Sequence, residues 1–249
     1  MRAVVRGFVL LVPSIAVLAA AGLASAQIPD EFTNLKVLPK DTSKRELVVI
    51  MRAFSGALGV RCSYCHPAKE PGSSEVDFAS DELETKRVAR AMMTMSGEIN
   101  NKLMPATGRE STIRVRCVTC HRGIAKPETL SRIILAAAEE EGVDAAIAKY
   151  RKMHAEFYGR GSYDFGGGSL NDVAQVLATD KGDLDGAIRM MELNAEMHPE
   201  GSLIHMMLGQ LYAMKGDTDA ARASLERCIE LDPENVQARQ ILQKLPEKP

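Results

Sequence analysis

Apolar residues recur at helical spacing in two stretches of the first half of the chain. Leu47, Ile50, Met51, Phe54 and Leu58 form one stripe, preceded by Ser43-x-x-Glu46 and followed by Gly59. A serine with a glutamate three positions on caps a helix start, and a glycine beyond the last apolar position ends one. A helix over about 43–58 is therefore expected. Val88, Met92, Met95, Ile99 and Leu103 form a second stripe, with Asp81-x-x-Glu84 as its expected cap and a helix over about 81–103. Met51 lies on the first stripe. Met92 and Met95 lie on the second, and Met93 lies off it.

The second half of the chain is Ala-rich and repetitive. Lys181-Gly182-Asp183 recurs as Lys215-Gly216-Asp217, Ala187 as Ala221, and His198-Pro199-Glu200 as Asp232-Pro233-Glu234, each pair 34 residues apart. A 34-residue period is that of the tetratricopeptide (TPR) repeat, a pair of antiparallel helices. Leu208, Gly209, Tyr212, Ala221, Leu225, Cys228 and Pro233 fit the second copy, and 168–201 is a weaker first copy. Residues 235–245 read as a capping helix and 130–158 as a further helix pair around Gly142. Cys228 falls at a small-residue packing position and is expected to be a buried thiol. His205 falls at a packing position, and His154 and His198 lack metal-type spacing. Repeats of this kind bury a continuous core and offer a concave face to a peptide or protein ligand.

The N-terminus has a different character. Arg2 and Arg6 precede an apolar run from Phe8 to Ala21, and Ala24-Ser25-Ala26 supplies a small-residue cleavage site. Residues 1–26 read as a signal peptide, which directs the remainder to the periplasm. An uncleaved membrane anchor is the competing reading, because the run approaches the length of a bilayer span.

Composition excludes a disordered tail, a collagen and a polytopic membrane protein: 45% of the 249 residues are hydrophobic and 26% charged. The net charge of −2 gives no signature of nucleic-acid binding. That near-neutral figure averages two unlike halves. Residues 27–127 carry 16 Lys and Arg against 12 Asp and Glu, whereas residues 128–249 carry 13 against 21. The expected organisation is thus a signal peptide over 1–26, a basic domain over 27–127 and an acidic helical repeat domain over 128–249, with Gly and Pro interrupting the pattern near 123–128.

Four of the five cysteines fall in the basic domain, in two copies of C-x-x-C-H: Cys62-Ser63-Tyr64-Cys65-His66 and Cys117-Val118-Thr119-Cys120-His121. This is the attachment signature of c-type haem. Two thiols three positions apart span about one helical turn and reach both vinyl groups, and the histidine that follows ligates the iron. A four-cysteine zinc module and disulfides are the alternatives. Neither accounts for the repeated histidine, and 51 residues between Cys65 and Cys117 is a wide gap for structural zinc. Two c-type haems are expected, on Cys62, Cys65, Cys117 and Cys120, with His66 and His121 as metal ligands. The methionine stripes are candidate sources of the second axial ligands, with ordinary core packing as the competing role.

Several segments resemble the cytochrome c subunit of photosynthetic reaction centres. They are Asn34 to Asp41, Met51 to His66, Ala89 to Met95 with Ile99-Asn100, and Val118 to Gly123. The resemblance covers about 33–127. It implies an all-α multihaem domain of helix, turn and haem-binding units, in which the helix supplies a distal methionine. Carried over by position, it implies Met51 for the first haem and Met95 for the second, with Met92 as runner-up. Family members that serve reaction centres typically hold four haems, whereas this chain has motifs for two.

The function expected is electron carriage between redox partner proteins, such as a membrane electron-transfer complex or a photosynthetic reaction centre. The repeat domain would dock a partner. One alternative is a dihaem peroxidase, which needs an open iron position and a nearby acid–base group. No distal histidine or carboxylate motif suggests one, so no catalytic residue is expected. The other alternative is a TPR assembly or docking protein with an accessory cytochrome.

Overall fold

A computed structural model of the protein describes residues 28–108 and 113–246. The expected signal peptide lies outside the described residues. Regular structure among the described residues is helical, apart from one antiparallel bridge between Ala68 and Val76. None of these helices is long and apolar enough to cross a membrane.

Helix α1 (Lys44–Leu58) starts where the sequence indicates: the Ser43 hydroxyl accepts the Glu46 N–H at 3.3 Å. It ends at Gly59, which takes the left-handed conformation at φ 66° that glycine adopts without steric cost. Helix α2 (Glu84–Glu98) departs from expectation at both ends. Its N-cap is Leu83, without a side-chain cap, because the expected capping residue Asp81 is engaged elsewhere. That carboxylate binds Lys36 at 2.6 Å, Arg90 at 2.6 Å and Asn34 at 2.9 Å, three charged or amide donors that outcompete a helix N-terminus. At its far end α2 widens into a π-helical turn (Ile99–Leu103) before a last short turn, α3 (Met104–Ala106). Helix α4 (Cys117–His121) carries the second C-x-x-C-H motif.

The remaining helices form antiparallel pairs: α5 (Leu130–Glu141) with α6 (Val143–Phe157), α7 (Gly167–Thr179) with α8 (Leu184–Met197), and α9 (Ser202–Lys215) with α10 (Thr218–Leu231). Helix α11 (Val236–Lys244) follows as a cap, its own start capped by Asn235. The 34-residue period is visible in the joints. Asp183 and Asp217 each cap the following helix by accepting the N–H three residues on, and Gly182 and Gly216 both have positive φ. Small residues at the crossing let the paired helices approach: a β-carbon at Gly209 would lie 2.7 Å from the Leu225 side chain, and Ala187 and Ala221 are fully buried. Cys228 is buried, as its repeat position implies.

The main hydrophobic cluster runs from Leu130 to Leu211 and joins α5 through α9, centred on Ile134, Tyr150, Met190 and Met191. The aromatics concentrate at one side of it. His154 stacks on Tyr158 at 4.4 Å, and Phe165 meets His154 edge-on at 5.2 Å. Before residue 130 the buried hydrophobics among the described residues are Leu47, Ala57 and Ile124.

Candidate haem-attachment site

Each C-x-x-C-H segment forms a single tight helical turn, which brings its two cysteines to the same side. At the first, Cys62–Tyr64 is a 3-10 turn, and the His66 N–H donates to the Cys62 carbonyl at 3.0 Å. The Thr85 hydroxyl, at the start of α2, donates to the Tyr64 carbonyl and ties this turn to the helix. The His66 ring packs edge-on against Phe78, centroids 5.2 Å apart, and its Nδ1 is buried with no hydrogen-bond partner among the described residues. Burial and the nearby Lys86 charge disfavour protonation of His66, with the Phe78 carbonyl acting the other way. Burial raises the Cys65 thiol above its ordinary value.

The second motif is held by residues that periodicity did not single out. Asn100, within the π-helical turn of α2, donates to the Val115 carbonyl and accepts the Val115 N–H, both at 2.8 Å. This two-way pairing guides the chain into α4, where the Thr119 hydroxyl accepts the Arg116 N–H at 3.0 Å. π-Helical turns of this kind concentrate at functional sites. After His121 the chain turns through two positive-φ residues, Arg122 and Gly123, which returns the Ile124 carbonyl to His121 Nδ1 at 3.0 Å. A histidine that donates Nδ1–H to a backbone carbonyl has a fixed tautomer and ring orientation, with Nε2 free for a metal.

The turn after His121 touches both halves of the protein. The Gly123 N–H donates to the Ala57 carbonyl at the end of α1, at 2.8 Å. From the other side the buried Ser162 hydroxyl, in the loop between α6 and α7, donates to the Arg122 carbonyl at 2.8 Å.

The donor sets suit haem. All four motif cysteines are free thiols, exposed or partly exposed. No group of three or more His, Cys, Asp or Glu among the described residues is arranged to hold a metal ion, so the two cysteine pairs do not converge into one four-cysteine site. The α2 stripe faces outward, with Met92 43% and Met95 48% exposed and Val88 beside them. Met93, off that stripe, is more covered, and Met51 on α1 is partly buried. An exposed apolar stripe bearing thioether sulfurs, two pairs of accessible thiols and an imidazole oriented by its own turn are the donor types that suit a flat apolar ring with an iron at its centre.

Cytochrome c-554 of Chloroflexus aurantiacus is 33% identical over 101 residues, covering 41% of this chain and 23% of that protein. The photosynthetic reaction center cytochrome c subunit of Rubrivivax gelatinosus is 36% identical over 115 residues, covering 39% of this chain and 31% of that protein. The chain thus spans about a quarter to a third of the length of these relatives. A tetratricopeptide repeat family matches residues 203–235. The second TPR domain of human RPAP3, solved in complex with an HSP70 peptide, superposes with TM-score 0.34 at 17% identity, covering 48% of this chain and 94% of that domain. The photosynthetic reaction centre cytochrome C subunit family matches residues 24–157, through the end of α6. The chain belongs to that cytochrome c family and continues into tetratricopeptide-like helical repeats.

Proposed function

We propose that the protein is a dihaem electron carrier, exported by its first 26 residues to the periplasm. In this reading residues 27–127 form the haem domain and residues 128–249 dock a partner. The observation that carries it is the pair of C-x-x-C-H turns, each following a methionine-bearing helix in the chain and with thiols accessible for attachment. Bound haem supplies one-electron chemistry and nothing that requires a substrate pocket.

The chain's own residues do the rest. Cys62 with Cys65, and Cys117 with Cys120, hold each ring through thioethers. His66 and His121, with Met51 and Met95, would supply the iron ligands. A methionine in that set would favour a higher potential than histidines alone. With those four ligands in place no iron position would be left for a substrate, which favours a carrier over a peroxidase. The redox partner is a protein, of the kind served by reaction-centre cytochromes. The acidic balance of 128–249 suits a partner with a basic docking face, which would steer encounter more than it would strengthen binding.

The oxidised protein should show the weak red-edge absorption band given by methionine–iron ligation, and Met51→Ala and Met95→Ala should each remove part of it. Reduction and reoxidation by small mediators should be fast, and hydrogen peroxide turnover negligible. Absence of the band together with rapid peroxide turnover would overturn the carrier reading.

A further inference from the structure

The two attachment histidines are held by different means. His121 is tied by its own backbone turn through the Ile124 carbonyl. His66 Nδ1 has no such well-formed bond; its ring packs edge-on against Phe78, whose carbonyl lies near enough to favour the protonated ring. Phe78 begins a backbone arch whose three carbonyls converge on one cation: Lys86 Nζ donates to Phe78 at 2.9 Å, Ala79 at 3.2 Å and Ser80 at 2.6 Å. An ammonium group has three N–H donors, which the three carbonyls share with the Asp81 carboxylate. Lys86 is only 8% exposed, which is unusual for lysine and is accounted for by these bonds and by Asp81 at 3.3 Å. Asp81 is shared with Arg90 and Lys36, and Asp77 lies on the same arch. The cluster beside His66 thus sets three cations against two carboxylates, with a cation as its buried member.

We propose, on the basis of the two-haem reading above, that Lys86 is a positioning residue that orients His66 through Phe78 and makes the haem on Cys62 and Cys65 the higher-potential of the two. A ferrous haem carries one positive charge fewer than a ferric one, so a buried cation nearby favours the reduced form, and the low local dielectric strengthens the effect. At the second site the flanking cations, Arg116 and Arg122, are exposed and better screened, and the histidine's own hydrogen bond acts the other way. Donation from His121 Nδ1 to a carbonyl makes the imidazole more basic and favours the oxidised form. The electron gained at the first site is the one lost at the second, so the singly reduced protein holds it beside Lys86.

Redox titration of the full, haem-loaded chain tests this, with the first haem assigned in a Cys117→Ala/Cys120→Ala chain that keeps only that attachment. In the wild type the first haem should be reduced before the second. Lys86→Met should shift the one-electron equilibrium between the sites at least tenfold away from the first, about 59 mV. Lys86→Arg, which keeps the charge, should restore most of it. Asp81→Asn removes a carboxylate beside Lys86 and should raise the first potential, which decides the matter if Lys86→Met does not fold. An unmoved first potential in a folded Lys86→Met chain with both haems, or no rise in Asp81→Asn, overturns the proposal. A chain with no haem on Cys62 and Cys65 contradicts the two-haem reading itself, and the proposal with it.

Discussion

A β-carbon on Gly59 would overlap the carbonyl oxygen of Gly123. Gly59 ends the helix that precedes the first attachment turn, and Gly123 belongs to the turn that follows the second. The two units therefore touch backbone to backbone. Gly59→Ala should strongly destabilise the haem region: the positive φ alone costs about 1–3 kcal/mol, and the overlap adds to it. Gly56→Ala, inside the same helix and facing open space, should instead gain about 0.5–1 kcal/mol. Denaturant unfolding of the two variants at equal haem content checks the contrast, and a Gly59→Ala chain as stable as wild type would contradict it.

Asn100 is the single side chain that pairs with both backbone groups of Val115. Asn100→Ala leaves an N–H and a carbonyl of a partly buried residue to water, at about 1 kcal/mol. Haem occupancy at Cys117 and Cys120 should fall while occupancy at Cys62 and Cys65 holds. Asn100→Asp keeps the acceptor and loses the donor, so its effect should be intermediate. Peptide mapping of haem-bearing fragments reads both.

Asp81 links the segment around Asn34–Lys36 to α2. The hydrogen bond from Lys36 foremost, then those from Arg90, Asn34 and Lys86, hold its carboxyl far below the usual range despite some burial. A folded-state value below the unfolded one stabilises at pH above the ordinary carboxylate value near ~3.9, and that stabilisation fades as pH falls further. Asp81→Asn should therefore be less stable than wild type at neutral pH, and its acid unfolding limb should be shallower. Thermal midpoints from pH 7 down to about 2 would show whether the two chains converge in acid, as this predicts.

Tyr150 is fully buried in the repeat core, and its hydroxyl has no hydrogen-bond partner among the described residues. Burial, with Asp164 and Tyr158 adding to it, pushes the phenol up to about 12. The neutral phenol's stabilisation is complete below the unfolded value near ~10 and is lost as pH rises through the folded one. Tyr150→Phe should be equally stable or more stable at pH 7, by up to about 1 kcal/mol, with a shallower alkaline loss. A large destabilisation would mean that the hydroxyl is bonded.

Much of this architecture is legible in the sequence, because its signals are local. Ser43 and Gly59 bracket α1 by cap chemistry, and the recurring Gly-Asp joints and small residues at 187, 209 and 221 fix the helical repeats. Each C-x-x-C-H is read from five consecutive residues. The misreading of Asp81 has a tertiary cause: its partners Lys36 and Asn34 lie 45 and 47 positions away, and nothing near Asp81 in the chain announces them. Lys86 and Asn100 escaped although their partners lie only 6–8 and 15 positions away, because the pairing depends on how the intervening chain turns. A lysine on a helix reads as a solvated face until the arch over it is known, and an asparagine pairs with the backbone only once the fold brings Val115 alongside.

Each C-x-x-C-H segment should carry a covalent haem. Intact mass of the purified full chain in denaturant reads this, since only thioether-bound haem survives unfolding. The expected mass is that of the polypeptide plus two haems, the added mass being lost in two equal steps when Cys62 with Cys65, and then Cys117 with Cys120, are changed to alanine. A chain carrying one haem or none, or one whose added mass is unaffected by either pair of substitutions, would contradict it.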